Sequence, residues 1–157
     1  MSGSPPSCYV RALEALARRA RSTADLSRWL RQRGYATDEI AGAVERLAAA
    51  GLLDDAKFAH AFARACLADR KFSRRRVLVE LSRHGVAREV AEAAVAVVLA
   101  DEGVDESTAL VAVAAKKMRT LAGLAPDVAA RRLTSFLARR GYDADAVRRV
   151  VAQLVSP

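Results

Sequence analysis

Cysteine is scarce, with only Cys8 and Cys66 in 157 residues. Their spacing fits neither a metal knuckle nor a redox pair. No disulfide framework is indicated, so a reducing, cytoplasmic setting is expected. Cys66 falls on an apolar helical face and reads as core. Aromatics amount to 5% of the chain, so a core must come from aliphatic side chains, much of it alanine. The two histidines, His60 and His84, have no ligand-spaced partner and read as surface or packing residues rather than metal ligands or bases. No glycine-rich phosphate loop, nucleophile elbow or zinc signature occurs. Nothing therefore points to an enzyme, a cofactor or a metal. The stretch Met1–Ser7 has no apolar run and reads as a flexible leader, not a signal peptide. The longest low-charge apolar stretch, Val90 to Ala100, is interrupted by Glu92 and is too short to span a bilayer, so no membrane role is expected.

What is present is apolar and basic. Hydrophobic residues make up 52% of the chain, charged residues 28%, and the formal net charge is +8. The pI is about 10.3 and the mean hydropathy +0.04. These values fit a folded, soluble protein drawn to polyanions such as nucleic acid or an acidic protein surface. Arginine greatly outnumbers lysine, which suits planar, bidentate contacts to phosphate or carboxylate. A generally basic surface with no such partner is the plainer alternative.

One pattern recurs three times: Leu26–Leu30–Gly34, Val77–Leu81–Gly85 and Leu133–Leu137–Gly141. An apolar residue follows each glycine (Tyr35, Val86, Tyr142), and a valine stands ten positions beyond it (Val44, Val95, Val151). The glycines are 51 and 56 residues apart, a period suited to stacked repeats. Each repeat reads as three helices. In the first, Leu13, Leu16, Ala17 and Ala20 lie at helical spacing. Ser22 reads as the next N-cap, with Asp25 completing a capping-box variant. Trp29 joins Leu26 and Leu30 at core spacing. Thr37 reads as the third cap, followed by Asp38 and Glu39 where the helix dipole favours acid. Asp54 or Asp55 starts the fourth helix, and Ser73 the fifth. Pro126 and Asp127 open the eighth, and Asp143 caps the last. No strand is predicted. The expected fold is all-α: a leader over 1–7 and three-helix repeats over 8–51, 52–103 and 104–157, forming an elongated, curved array. In such an array function belongs to the surface the repeats make together.

The sharpest local anomaly is Arg74-Arg75-Arg76. If Ser73 is the N-cap, three cations fill a first helical turn, where the dipole disfavours them. A locally unfavourable choice is expected at a binding surface. Free N–H groups and guanidiniums together make an anion site. A solvated basic face is the other reading. Lys71 and Arg83 extend this zone. Further candidates are Lys116, Lys117, Arg131, Arg132, Arg139 and Arg140. Cations also recur just before each turn glycine, partly because they suit helix C-termini.

The run Gly51-Leu52-Leu53-Asp54-Asp55-Ala56-Lys57-Phe58-Ala59 resembles a signature of RecX-type regulatory proteins. Arg21-Ser22-Thr23-Ala24-Asp25-Leu26 resembles that family's upstream motif, with Asp in place of Glu. Arg76-Val77 and Leu81-Ser82-Arg83-His84-Gly85-Val86 resemble its second repeat, and Leu137-Ala138-Arg139-Arg140-Gly141-Tyr142 its third. Ser73 stands where many relatives carry Gly. The resemblance covers about residues 10 to 155. It implies three tandem three-helix units and a non-enzymatic regulator of DNA recombination and repair, including the SOS response. Such a regulator binds the RecA recombinase filament on single-stranded DNA and inhibits its ATPase, strand-exchange and coprotease activities. The expected partners are that filament and single-stranded DNA, met directly or through the filament by a monomer. A direct DNA-binding helical module is the alternative.

Overall fold

The computed structural model describes residues 6–103 and 105–155. The leader expected over 1–7 therefore falls outside the described residues except for Pro6 and Ser7. Both of these are engaged. Ser7 Oγ accepts from Val10 N–H at the first helix, and the Tyr35 hydroxyl donates to the Pro6 carbonyl at 2.8 Å.

Nine α-helices run along the described residues: α1 Cys8–Arg18, α2 Thr23–Arg31, α3 Thr37–Ala49, α4 Asp55–Arg64, α5 Arg74–Arg83, α6 Arg88–Asp101, α7 Glu106–Arg119, α8 Pro126–Arg139 and α9 Ala144–Val155. A π-helical turn, Ala65–Asp69, continues α4. No strand occurs among the described residues. The helices come in threes, and the pattern glycines 34, 85 and 141 all have positive φ, as C-terminal stops require. The packing groups the chain into two compact units. The first comprises Met1–Phe62 with Leu81–Ala94, the second Ala63–Glu80 with Val95–Pro157. The helices α4, α5 and α6 thus each contribute residues to both.

In the first unit, α1, α2 and α3 pack around Ala12, Ala15, Leu26, Leu30, Ile40, Ala43 and Leu47. Full burial of each leucine contributes roughly 1.5–3 kcal/mol. The inward face of α1 is Cys8, Ala12 and Ala15, while Leu13 and Leu16 only border the core. Ala17 and Ala20, expected inside, are exposed. Small residues win the centre because they let helix backbones approach closely, and the leucines then fill the flanks. Ser22 caps α2 as expected, accepting from Asp25 N–H at 3.1 Å. The Asp25 carboxylate does not reach back to complete a capping box. It accepts instead from Arg28 at 3.1 Å and from His84 Nδ1–H at 2.5 Å. The cap of α3 is Ala36, not Thr37. Glu39 supplies what alanine lacks, its carboxylate accepting from Ala36 N–H at 2.9 Å. Asp54 caps α4 by accepting from Ala56 and Lys57 N–H groups.

In the second unit, α7, α8 and α9 enclose Leu110, Ala114, Leu121, Ala129, Leu133, Leu137, Tyr142 and the valines 147, 150 and 151. Asp143 caps α9, accepting from Asp145 and Ala146 N–H groups. These backbone bonds, Ala146 first, lower its pKa.

Each unit also holds the same helix-to-turn joint. In the first, the Ser22 hydroxyl donates to the His84 carbonyl at 2.5 Å. A Cβ on Gly85 would collide with Ala24 Cβ. In the second, Ser73 N–H donates to the Arg140 carbonyl at 2.9 Å. A Cβ on Gly141 would sit 2.6 Å from Arg76 Cβ and 2.7 Å from Ser73 Oγ. The capped start of one repeat's second helix therefore docks on the glycine turn that ends the next repeat's second helix. Ser22 and Ser73 are the buried polar residues of the described core. Gly34, which ends the second helix of the first repeat, has only open space where its Cβ would be.

Candidate nucleic-acid interface

The joint in the second unit assembles much of the sequence-predicted site. Ser73 caps α5, accepting from Arg76 N–H at 3.1 Å, so Arg74, Arg75 and Arg76 do occupy its first turn. Just before it, the π-turn ends and Lys71 takes a positive φ of 53°. Glycine and asparagine favour that backbone region; lysine does not. The Tyr142 hydroxyl holds the segment in place, donating to the Lys71 carbonyl at 2.9 Å. Burial raises the Tyr142 pKa, so the hydroxyl keeps its proton. The Ser73–Arg140 bond and the Gly141 contact bring this segment against the C-terminal end of α8.

Two hollows open beside it. The first, of about 360 Å³, is lined by Arg70, Lys71, Lys116, Lys117, Arg140 and Phe136 among others. The second, of about 260 Å³, is lined by Lys117, Arg131, Arg132, Arg139 and Phe136 with Leu121 and Ser135. Lys117 and Phe136 belong to both. Asp69 is the single acidic residue lining the first hollow, and the second has none. Helix geometry explains the grouping. Arg132 and Phe136 are four residues apart on one face of α8, Arg140 follows at the same spacing as its C-cap, and Lys116 and Lys117 lie in the last turn of α7.

Phe136 lies at the border of the apolar stripe of α8. The Arg140 guanidinium carbon stands 3.9 Å from its ring centroid and Lys117 Nζ 5.1 Å from it. Lys71, Lys116, Lys117, Arg131, Arg132, Arg139 and Arg140 make no ion pair among the described residues. Arg74 and Arg75 are exposed and likewise lack a carboxylate partner among the described residues. Arg76 behaves differently. It is half-buried, pairs with Glu80 at 2.7 Å and stands over the Phe72 ring. It reads as a structural member of the joint. Arg83 falls in the first unit.

The unpaired cations leave a strongly anion-attracting surface with shallow hollows and one aromatic plane. Such a surface suits a polyanion with flat groups. Helical spacing alone would set Phe136 in the core with Leu133 and Leu137. Its spacing of four from both Arg132 and Arg140 was the available sign of an edge position. Trp29 also stands at a core edge instead of the centre, with Arg33 and Arg21 guanidiniums 3.6 Å and 5.0 Å from its ring centroid. No group of three or more His, Cys, Asp or Glu among the described residues could hold a metal ion. No described helix is long and apolar enough to cross a membrane.

Comparison with known proteins supplies a family. Three family models match in tandem: the first three-helix domain of RecX over residues 8–47, the second over 54–95 and the third over 105–151. A regulatory protein RecX of Trichlorobacter lovleyi is 34% identical over 154 residues, covering 95% of this chain and 96% of the relative. A regulatory protein RecX of Mycobacterium avium is 38% identical over 141 residues, covering 88% and 79%. Among solved structures, RecX from Lactobacillus salivarius superposes with a TM-score of 0.72 at 19% identity, covering 94% of each chain. That last likeness speaks to the fold alone.

Proposed function

This chain belongs to the RecX family of regulatory proteins, and from that premise we propose that it binds a RecA recombinase filament on single-stranded DNA and inhibits it. The inhibited activities are ATP hydrolysis, strand exchange and coprotease stimulation, and the action is non-enzymatic. The observation that carries this reading is the pair of cationic hollows in the second unit, whose cations are left without internal carboxylate partners. Tandem repeats supply several weak contacts, and on a repetitive filament such contacts add through effective concentration. Free guanidiniums meet either acidic recombinase side chains or the phosphates threaded through the filament.

The test is a titration of the protein into preformed filaments while ATP hydrolysis is followed. Substoichiometric protein should depress the rate, and a triple charge reversal at Lys117, Arg131 and Arg132 should blunt that effect. Undiminished hydrolysis at equimolar protein would remove the proposal. A direct DNA-binding role draws specific support from Phe136, the aromatic plane between the two hollows.

A further inference from the structure

We propose that Phe136 and Arg140 form a stacking platform for an unpaired base of single-stranded nucleic acid, with cations of the two hollows holding the adjoining phosphates. The inference deepens the reading above: it assigns these basic residues to direct contact with the strand. Phe136 and Arg140 are four residues apart, so the helix itself presents them together. The guanidinium carbon lies 3.9 Å from the ring centroid. That distance puts the guanidinium over the ring in a cation–π contact, so the two groups share one surface. Arg140 Nε has no hydrogen-bond partner among the described residues. That nitrogen is buried, the guanidinium carbon stands over the ring, and no carboxylate among the described residues pairs with the group. Lys117 approaches the same ring and lines both hollows. The result is an aromatic–arginine plane with positive charge on either side.

An acidic peptide would satisfy the cations but would leave the plane without a role. A single strand uses both, because its phosphates meet the cations while an unstacked base has a free π-face. Base pairs in a duplex are already stacked on their neighbours, so the platform favours single strands. The arrangement reads no base edge, and little sequence preference follows from it.

The experiment measures fluorescence anisotropy of the intact protein with a labelled oligothymidylate and with an abasic strand of equal length and charge. The wild-type chain should prefer the base-bearing strand by roughly fivefold or more, the contribution of about one stacked base. Phe136→Leu keeps apolar bulk for the core and removes the π-face. Arg140→Lys keeps the charge and removes the plane. Each should bring the two strands within about twofold of each other. If Phe136→Leu fails to fold by circular dichroism, Arg140→Lys decides the matter. Equal wild-type affinity for the two strands, binding to neither at low salt, or an intact preference in the folded variants would overturn the proposal. The filament ATPase titration separates this failure from failure of the wider reading. Inhibition that persists without base preference sinks the platform alone, whereas base preference without inhibition sinks the filament reading and leaves the platform standing.

Discussion

The two compact units are joined alike and charged differently. Each docks a serine-capped helix start on a positive-φ glycine, at Ser22 and Gly85 in one and at Ser73 and Gly141 in the other. The first unit holds eleven Lys and Arg against nine Asp and Glu; the second holds fifteen against nine. The first also uses its cations internally. Arg11, Arg28, Lys57 and Arg88 pair with neighbouring carboxylates. Arg21 and Arg33 cover Trp29, and Arg46 covers Tyr9. In the second unit the ion pairs among the described residues take up Arg64, Arg76 and Arg148, and Lys117 and Arg140 stand over Phe136, but the cations lining the hollows have no carboxylate partner. The lesson is that a repeat can be copied as a scaffold while its charge is reassigned. Net charge, +2 against +6, already favours the second unit as the proposed binding half, and the cations there without a carboxylate partner locate the candidate surface within it.

The scaffold half of this comparison breaks most readily at the glycines. Gly85→Ala and Gly141→Ala combine left-handed backbone strain with a collision, and each should cost about 2–5 kcal/mol. Gly34→Ala keeps the strain but meets open space and should cost about 1–2 kcal/mol. Urea unfolding of the three variants measures the gap, and equal losses would mean that the joint does not depend on close approach.

The charge half is tested by matched reversals. Reversing Lys117, Arg131 and Arg132 should weaken binding to single-stranded DNA by about tenfold or more and flatten its salt dependence. Reversing Arg18, Arg19 and Arg31 in the first unit should change affinity by less than about threefold. Equal effects would show that the field of the whole chain matters and the hollows do not.

A smaller effect is expected at the serines. Ser22→Ala removes a cap and leaves the part-buried His84 carbonyl without that donor, for about 1–2 kcal/mol. Ser73→Ala removes the cap but keeps the backbone bond to Arg140, and should cost about 1 kcal/mol. Thermal unfolding of both variants ranks them.

The smallest expected effect is acid sensitivity at the start of α7. Hydroxyls of Ser107 and Thr108, with Thr108 N–H, hold the Asp105 pKa down to about 2 from 3.8. A depressed folded-state pKa means that stabilisation is complete above the unfolded value and is lost as pH falls from about 4 to about 2. Asp105→Ala should therefore be less stable than wild type at neutral pH, and the difference should shrink across that window. A difference independent of pH would assign it to something other than the carboxylate.

Much of the fold was legible because its determinants are local. The helical spacing of Leu26, Leu30, Leu133 and Leu137 marks buried faces, and Ser22, Ser73 and Asp143 cap where a short polar side chain stands just ahead of a helical pattern. The misreadings lay where neighbours outvoted local pattern. Ala36 caps α3 because Glu39 reaches back to it. Asp25 abandons its own helix start because His84, distant in sequence, offers a better partner. Cys8, Ala12 and Ala15 displace Leu13 and Leu16 from the centre of the first bundle because close helix packing rewards small side chains. At the candidate site, basic residues could be named from sequence, but which of them are spent could not. Arg76 and Lys71 look alike as cations in one run, yet Arg76 reaches Glu80 while Lys71 lines a hollow.

By itself, the amino-acid sequence determined helix type, helix ends, the threefold recurrence and the excess of positive charge, since each follows from residues within a few turns of one another. Only the tertiary structure decided that Gly85 and Gly141 are close-contact points and Gly34 is not. It likewise decided that Phe136 borders two hollows and that Arg140 lies on its ring. Those outcomes depend on which segments meet across dozens of residues, and local periodicity carries no information about that.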